Sequence, residues 1–565
     1  MALIDKASLL MVPSTYEAGK LYNVLPSGNR APDNKGGAGY DQTRADFDFD
    51  RGSNAAASRI NSSGLIEKYR ENVLLQSNSL NTSPWVKLDG ATLVSGQSGY
   101  DGSSDAWRIN ITNSANSGLY QAISLNGVYS YSIYAKAGDI NYLGFTNFAG
   151  SSYDIFFNLS NGTIANQSGF IDATITSAGN GFYRCTLTSV NPVYLQMKPS
   201  STASNTSTAG YIFLQDLQAE SGLVATDYLN STSVTAKVGV LIDLPRINFD
   251  ANGENGALLL EPSRQQLVQY SEYWKGYFTI DANVTISVNV ATSPEGVQNA
   301  GRLKYDLASR SMYKSSMGLT GEHSVSFWVK GDGFNIGKTF NLRLQGTSID
   351  QNIPITLTSD WVRVEAQTNG LNTFELNNRN STTIDTGSLL LYGFQIEPNA
   401  SYVSSYIPNH SGTGGVTRAA DVNTLSNAIS LDGDFALFWE GAVFEDDIML
   451  YGSGTNAWYM NYTTSSGRII LDELSGRKVA AYLGSGTATG VKTKILIKRV
   501  SGVHSVFANG AKLTNTTSVN STNTLSLSSM FWAFSSSFYK GLEVNQSFVS
   551  KTELTDAECV TLTTL

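Results

Sequence analysis

Two stretches of this sequence end in the same way, and they decide the fold. The first is Tyr211-Ile-Phe-Leu-Gln-Asp-Leu-Gln-Ala-Glu220, and the second is Leu390-Leu-Tyr-Gly-Phe-Gln-Ile-Glu-Pro398. Each predicts a closing β-strand that ends in Gln-x-Glu. A short arm with a tyrosine follows both, in Ala225-Thr-Asp-Tyr-Leu and in Ser404-Ser-Tyr-Ile-Pro. We therefore interpret the two stretches as the ends of one cassette that the chain contains twice.

The segments before these endings also correspond in the same order. The matching pairs, first copy before second, are Trp85 and Trp274; Tyr131-Ser-Ile-Tyr-Ala-Lys-Ala-Gly-Asp and Ser324-Val-Ser-Phe-Trp-Val-Lys-Gly-Asp; Lys136 and Lys330; Phe182-Tyr-Arg and Trp361-Val-Arg. A repeat this long is a whole domain, because solenoid units span only about 20–50 residues. The two cassettes are therefore predicted to share one fold.

Composition and alternation favour short strands joined by polar turns. The chain has 565 residues, of which 41% are apolar and 15% charged, too few charges for a disordered class. In Val128-Tyr-Ser-Tyr-Ser-Ile-Tyr-Ala, Tyr131 and Ile133 alternate with Ser130, Ser132 and Tyr134, which is typical of a half-buried strand. We therefore predict an all-β chain of tandem antiparallel β-sandwiches behind an extended N-terminal segment.

The chain divides into four predicted parts. These are an N-terminal anchoring segment (1–71), the first cassette (72–235), the second cassette with its leading strand (236–408), and a third sandwich (409–565). The third sandwich is expected to contain a tight hairpin turn at Asn509-Gly510. Near its end, Thr555-Asp-Ala-Glu558 fits a capping box that starts one short helix through Leu562.

The N-terminal segment has too few apolar residues to form a core by itself. They occur in two short groups, Leu9, Leu10, Met11 and Val12, and then Leu21 and Leu25. Asp46-Phe-Asp-Phe-Asp50 alternates strictly and predicts an edge strand. A disordered tail without a partner remains an alternative. Because exposed large apolar side chains are a liability, we expect these six residues to become ordered against other chains and to anchor the protein.

Three parts of the chain resemble known families. The last quarter resembles the concanavalin A-like lectin sandwich in its laminin-G-like form, on Lys494-Ile-Leu-Ile-Lys-Arg, Val506-Phe-Ala-Asn-Gly and Leu554-Thr-Asp-Ala-Glu. The two cassettes resemble jelly rolls of the carbohydrate-binding-module type. The opening is similar to the start of bacteriophage fibre and appendage proteins, on Ala7-Ser-Leu-Leu-Met-Val-Pro-Ser, Gly19-Lys-Leu-Tyr and Ile60-Asn-Ser-Ser-Gly-Leu-Ile-Glu.

These resemblances imply a structural protein of a phage particle. Such a protein would dock onto a capsid or tail protein, form a homo-oligomer, usually a trimer, and bind a glycan on the host surface. Its place would be the virion surface. The opening apolar run, broken at Pro13, is too short for a secretory signal peptide, so synthesis in the host cytoplasm is expected.

Charge and cysteine content exclude several classes of function. The formal net charge of −9 argues against nucleic-acid binding, which needs clustered lysine and arginine. No apolar stretch is long enough to enter and cross a bilayer. The two cysteines, Cys185 and Cys559, belong to different predicted domains, so a disulfide framework within a domain is excluded.

Catalytic signals are weak. His323, His410 and His504 lack the spacing of metal ligands and are expected at the surface. Asp472 and Glu473 are adjacent, so on a strand they point to opposite faces and do not form a retaining glycosidase pair. We therefore predict no enzymatic activity and no cofactor apart from a possible structural calcium ion. A polysaccharide depolymerase and a purely structural spacer remain alternatives.

Two groups of residues are candidates for binding. Sugars stack on aromatic rings while polar side chains bond their hydroxyl groups, and the third sandwich clusters Tyr451, Asn456, Trp458, Tyr459 and Tyr462. Alternation puts Trp458 and Tyr459 on opposite faces, one of which must be core. Asp101 and Asp105 flank a glycine turn and supply oxygen ligands of the kind calcium prefers. A plain polar turn is the alternative there.

Overall fold

The computed structural model describes residues 6–15, 47–146, 154–192, 194–204, 208–242, 244–346, 349–379, 386–425, 428–453, 458–484, 489–533 and 540–565. These residues are almost entirely β structure, which confirms the predicted fold class. Within them lie one α-helix, Asp556–Thr563, and three 3₁₀ turns, Pro13–Thr15, Trp274–Gly276 and Gly333–Asn335. Thr555 and Glu558 form the predicted capping box at the start of the helix.

The first cassette is a sandwich of two six-stranded antiparallel sheets. Its front sheet contains, in order across the sheet, Asp172–Gly179, Phe182–Val190, Val128–Ala137, Gly210–Ser221, Ala106–Ile111 and Thr92–Gln97. Its back sheet contains Thr163–Ser168, Asp154–Asn158, Tyr142–Thr146, Tyr194–Ser200, Gly118–Ala122 and Val86–Leu88. Side chains alternate along a strand, so Ile212 and Leu214 lie in the core while Phe213 points outward.

The second cassette is a sandwich of two five-stranded sheets. Its front sheet contains Val362–Leu371, Leu319–Gly331, Gly387–Pro398, Ala300–Tyr305 and Val284–Ala291. Its back sheet contains Asp350–Thr356, Thr339–Gln345, Thr373–Asn377, Ser311–Lys314 and Thr279–Ile280. Phe327, Phe374 and Phe394 meet at the centre of its core, with ring centroids of Phe327 and Phe394 5.2 Å apart.

The two cassettes have the same strand order, as the repeat predicts. Among the described residues, the second cassette has a counterpart of every strand in the first cassette's two sheets except Thr163–Ser168 and Asp172–Gly179. The closing strand also bulges at the same point, where Asp216 and Gly393 have φ angles of 51° and 64°. A bulge adds one residue and re-aims the side chains after it. Lys136 and Lys330 occupy the same register position, opposite Phe213 and Leu390.

The Gln-x-Glu ending holds the arm of the second cassette in place. Gln395 accepts a hydrogen bond from the backbone N–H of Ile407 at 2.7 Å, and Glu397 accepts one from that of Ser404 at 3.1 Å. Arg363 donates to the carbonyl of Ser404 at 2.8 Å. Tyr406, on the arm, is hydrogen-bonded to Ser271 at 2.7 Å. Buried backbone groups need such partners, so the motif has a structural role.

The first cassette repeats each of these contacts. Gln218 accepts from the backbone N–H of Leu229 at 2.7 Å, and Glu220 accepts from that of Thr226 at 2.7 Å. Arg184 donates to the carbonyl of Thr226. Tyr228 is hydrogen-bonded to Ser77 at 2.7 Å. The repeated sequence therefore forms the same set of hydrogen bonds to the arm in both cassettes, and we call this set the clamp.

The third sandwich is built from an eight-stranded and a six-stranded sheet. The eight-stranded sheet contains Ala511–Lys512, Val503–Ala508, Thr493–Val500, Phe435–Val443, Leu542–Ser550, Ala257–Leu260 and Ile247–Asn248, with Ala7–Met11 also paired to Leu542–Ser550. The six-stranded sheet contains Asn515–Ser518, Gly476–Tyr482, Arg468–Glu473, Trp458–Thr463, Ile448–Gly452 and Ser529–Ala533. Two of these strands, Ile247–Asn248 and Ala257–Leu260, lie within residues 236–408, which the sequence assigned to the second cassette with its leading strand.

The described part of the N-terminal segment folds against its own chain. Leu9 and Met11 are 0% exposed and belong to the core of the third sandwich, so the hypothesis that they dock onto another chain is wrong. Leu10 and Val12 are half-buried on the same short segment. The physical reason is that residues 547–550 would otherwise form an unpaired edge of the third sandwich, and Ala7–Met11 pairs with that edge. Leu21 and Leu25 lie outside the described residues.

Within the described ranges, five short two-stranded ladders lie outside the large sheets, and three of them pair different parts of the chain. They pair Phe47–Asp50 with Val422–Leu425, Ser58–Ile60 with Ile66–Lys68, Arg70–Asn72 with Ala236–Val238, Arg264–Gln266 with Val416–Arg418, and Ile429–Leu431 with Leu525–Leu527. The edge strand predicted at 46–50 is present over Phe47–Asp50, with a partner from the start of the third sandwich. The pairing of Arg70–Asn72 with Ala236–Val238 joins residues from both sides of the predicted boundaries at 71/72 and 235/236.

A buried ionic network lies where these parts meet. Arg246 bonds Asp421 at 3.1 Å and Glu261 at 2.8 Å, and Arg418 bonds Glu261 at 2.9 Å. Arg51 approaches Asp421 at 3.5 Å. Burial by itself would raise the pKa of Glu261, but Arg418 and Arg246 outweigh it and hold that pKa at about 2. Each charge needs its partner, because an unpaired buried charge is strongly destabilising.

Replacing Leu9 by alanine should destabilise the third sandwich. Truncating a fully buried leucine costs about 2–5 kcal/mol, because contacts are lost and a cavity remains. Chemical denaturation followed by tryptophan fluorescence measures this change. Leu474, which is 86% exposed, provides the control, and its replacement by alanine should change stability by less than about 0.5 kcal/mol. Equal stability of the two variants would contradict the placement of Leu9.

Candidate functional site

The aromatic cluster proposed for glycan binding in the third sandwich belongs mostly to its core. Tyr451, Trp458 and Tyr462 are 0%, 2% and 1% exposed, so the hypothesis that they stack on a sugar is wrong. The Tyr451 hydroxyl donates to the carbonyl of Phe438 and contacts Ser547. Each ring fills the space between the two sheets, and a buried ring offers no face to a ligand. Asn456 lies outside the described residues.

Tyr459 is the half-buried member of that cluster and points away from the core. Its hydroxyl donates to Asp472 at 2.9 Å, and Arg477 bonds the same carboxylate at 2.9 Å. Glu473 accepts hydrogen bonds from Ser521 at 2.9 Å and Asn523 at 2.6 Å. Both carboxylates of the 472–473 pair are thus engaged by neighbouring side chains.

The three histidines were expected at the surface, and that expectation is wrong. His323 and His504 are each 1% exposed, and the His410 side chain is half-buried. Burial lowers the pKa of His504 to about 4 and that of His410 to about 3, with the charges of Arg499 and Lys68 contributing. Both rings are therefore neutral at pH 7.

The candidate calcium loop is a hydrogen-bonded polar turn. Gln215 donates to Asp105 at 2.7 Å and to Asp101 at 3.3 Å, and Asn78 donates to Asp105 at 3.0 Å. Hydrogen bonds from Ser103 hold the pKa of Asp101 below its usual value. Within the described residues, no group of three or more histidine, cysteine, aspartate or glutamate side chains is placed to hold a metal. Calcium at this loop stays a prediction.

A cavity of about 290 Å³ lies between the N-terminal segment and the two cassettes. Lys68 enters it and bonds Glu272 at 2.7 Å and also Glu295. Burial would lower the pKa of Lys68, but the two carboxylates outweigh it and raise that pKa. His410 also lines this cavity. The charges are paired within the chain, so the cluster fastens residue 68 to the second cassette.

The first cassette presents a different surface on the outside of its front sheet. We call this surface the outer face and define it by Arg108, Tyr134, Lys136, Arg184, Thr186, Tyr211 and Phe213. All seven side chains are half-buried, so one side of each remains accessible. Alternation along the strands puts them opposite the core residues Ile109, Ile133, Cys185 and Ile212.

Aromatic rings and cations alternate on the outer face. The rings of Tyr100 and Tyr134 stack with centroids 3.7 Å apart, and the Arg184 guanidinium lies 5.7 Å from the centroid of Tyr134. The Lys136 ammonium lies 6.0 Å from the ring centroid of Phe213. Such contacts hold the cations in place by attraction to the ring faces. The rings are consequently fixed flat platforms with charged groups beside them.

The outer face continues into a groove of about 360 Å³ beside the second cassette. Four threonines line it, namely Thr174, Thr176, Thr186 and Thr188. The hydroxyls of Thr174 and Thr186 are hydrogen-bonded at 2.6 Å, and Asn289 of the second cassette bonds Asp172 at 2.7 Å. Hydroxyl and amide groups next to aromatic rings are what sugar recognition uses. The outer face and this groove are the candidate site.

The alternation of one strand contains a signal for this site. Ile212 and Leu214 are apolar and alternate with Tyr211 and Phe213, which indicates two aromatic side chains on the face away from the core. Arg108 and Lys136 could not be placed beside them from sequence, because register across neighbouring strands brings them together.

Three solved structures are similar to this chain at low sequence identity and low TM-score. No protein-family model and no curated protein matches the chain. It is similar at 11% identity to the tandem CBM22 domains of Paenibacillus barcinonensis Xyn10C, over 61% of this chain and 99% of that one, with a TM-score of 0.21. It is also similar at 11% identity to Trypanosoma rangeli sialidase in complex with sialic acid, over 84% and 98% of the chains, with a TM-score of 0.19.

A third similar structure is a truncated AlyQ with CBM32 and alginate lyase domains. The identity is 10% over 49% of this chain and 99% of that one, and the TM-score is 0.17. TM-scores this low do not establish a shared substrate or activity for any of the three. In the part of the chain that the structure describes, no helix is long and apolar enough to cross a membrane.

Stability should fall as the pH drops below 6.5, in part through His504. Its folded pKa of about 4 lies below the unfolded value of about 6.5, so the neutral ring is favoured in the fold. The stabilisation is complete above pH 6.5 and is lost progressively towards pH 4. At pH 4.5 the loss is roughly 2 kcal/mol. Asp216, whose pKa burial raises to about 6, acts in the opposite direction.

Denaturation curves between pH 7 and 4.5 measure this dependence. His504→Leu removes the titrating group, so its free energy of unfolding should change less with pH than that of the unaltered protein. An unchanged slope in this variant would show that His504 does not contribute.

Proposed function

We propose that this chain is a non-enzymatic adhesion protein that binds a glycan on the outer face of its first cassette. The observation that carries the proposal is the row of accessible aromatic rings fixed between polar and cationic side chains. Sugar rings stack their apolar faces on such platforms, and hydroxyls and amides in the adjoining groove bond the sugar hydroxyls. The second cassette and the third sandwich then serve as rigid supports.

The second cassette does not offer the same aromatic surface. Trp328 and Tyr392 occupy the positions of Tyr134 and Gln215, and they are 9% and 1% exposed. Ile66, from the hairpin Ser58–Lys68, packs against both rings and covers them. The proposal therefore assigns glycan binding to the first cassette alone.

We further propose that the protein is displayed on a phage particle, as a head or tail fibre or decoration, and forms a trimer. The support is the similarity of the opening sequence to fibre and appendage proteins. Because the strand Ala7–Met11 belongs to the third sandwich, the docking surface for a capsid or tail protein would lie elsewhere. Antibody labelling of purified particles in the electron microscope tests the location, and light scattering tests for a mass of three chains.

Glycan binding is tested with the full chain on a panel of polysaccharides. Phe213→Ala removes one platform and should weaken binding by about three- to tenfold. Phe334→Ala, which alters a fully exposed phenylalanine of the second cassette, is the matched control and should leave affinity unchanged. Absence of binding to every polysaccharide would refute the proposal. Release of reducing ends by the unaltered protein would instead favour the depolymerase alternative.

A further inference from the structure

On the outer face, three residues that are paired across neighbouring strands form a row, in which one phenylalanine lies between two cationic residues. Phe213 is paired across the sheet with Arg108 on one neighbouring strand and with Lys136 on the other. Directly paired residues have Cβ atoms about 5 Å apart, so the Cβ atoms of Arg108 and Lys136 lie about 10 Å apart on either side of Phe213. The guanidinium of Arg108 lies 5.1 Å from the ring centroid of Tyr211.

The second cassette has the same row with its arginine neutralised. Arg302, Leu390 and Lys330 occupy the positions of Arg108, Phe213 and Lys136. There Arg302 bonds Asp332 at 2.6 Å, and Ser388 donates to the same carboxylate at 2.6 Å. A carboxylate is therefore a natural partner for the arginine at this position of the fold.

The first cassette has no carboxylate at that position. Counted from the paired lysines, Gly138 stands where the second cassette has Asp332, and the aspartate of the first cassette, Asp139, follows one residue later. The Tyr211 ring fills the place of a side chain at position 138, because a Cβ added at Gly138 would lie 2.4 Å from this ring. Among the described residues, no carboxylate lies within ion-pairing distance of Arg108 or Lys136, and none accepts a hydrogen bond from either cation.

We propose that the row Arg108–Phe213–Lys136 binds the carboxylate of an acidic sugar. The proposal rests on the glycan-binding function above and narrows it to polysaccharides that contain uronic acids or similar acidic sugars. Phe213 supports the sugar ring, the planar guanidinium of Arg108 donates paired hydrogen bonds to the carboxylate, and Lys136 adds a point charge. The carboxylate of the ligand thus pairs with Arg108 as Asp332 pairs with Arg302 in the second cassette.

The overall negative charge of the protein does not oppose this binding. The net charge of −9 is spread over the whole chain, and at physiological ionic strength charges are screened beyond about 8 Å. Two acidic residues near this face, Asp101 and Asp105, accept hydrogen bonds from Gln215.

The test compares each polyuronate with its own methyl ester. Polygalacturonate and fully methyl-esterified polygalacturonate share a backbone and differ in charge, and alginate and its ester provide a second pair. The full chain should bind at least one acid form about tenfold or more tightly than its ester, since hydrogen bonds to charged groups are worth more than neutral ones. Arg108→Gln and Lys136→Gln should each remove most of this difference, and raised salt should weaken it. Dextran sulfate distinguishes sulfate recognition from carboxylate recognition.

Matched variants separate charge from folding. Arg302→Gln and Lys330→Gln alter the same row in the second cassette and should leave the acid preference intact. Gly138→Asp combined with Tyr211→Ser copies the neutralising pair of the second cassette and should abolish the preference. Melting temperatures establish that each variant is folded.

The outcomes distinguish this inference from the proposed function. If acid and ester bind equally and Phe213→Ala weakens both, the glycan site stands and the inference is overturned. The inference is also overturned, and the glycan site stands, if only neutral polysaccharides bind or if only dextran sulfate binds. If no polysaccharide of any charge binds, the inference and the proposed function both fail.

Discussion

The clamp between each closing strand and its arm is the interaction on which both cassettes depend. A glutamine side chain accepts a hydrogen bond from the backbone N–H of Leu229 or Ile407, and an arginine from the next strand but one donates to a carbonyl of the same arm. These arms leave the sheet and would otherwise bury unpaired backbone groups, which costs about 1–3 kcal/mol each. The clamp explains why Gln-x-Glu and the distant arginine recur together in the sequence.

A second constraint joins the parts into one unit. Arg246 and Glu261 precede the sheets of the second cassette, and Arg418 and Asp421 follow them; the four side chains neutralise one another in a buried site. The strand Ala7–Met11 completes a sheet whose other strands lie hundreds of residues later. Strand pairs and charges therefore link these parts of the chain in addition to the covalent connections.

The two cassettes differ at the candidate site although they share one scaffold. The two cassettes share strand order, the bulge and the clamp, yet their outer faces differ at a few positions. Hairpin Ser58–Lys68 covers Trp328 and Tyr392 in the second cassette, whereas the first keeps its rings accessible. Asp332 neutralises Arg302, whereas Gly138 and Tyr211 replace that arrangement beside Arg108. Scaffold and surface have thus changed independently, since outward-facing residues contribute little to the core.

The sequence by itself determined the all-β class, the repeat, the alternation of core and surface along strands such as Val128–Ala137, and the capped C-terminal helix. These depend on local periodicity and on nearby residues. Only the tertiary structure decided that Leu9, Trp458 and Tyr462 are core and that Ala257–Leu260 serves the third sandwich. It also decided that Arg108, Phe213 and Lys136 are neighbours. The physical reason is that burial and register depend on which distant strand pairs with which, and the sequence pattern of a single strand contains no such information.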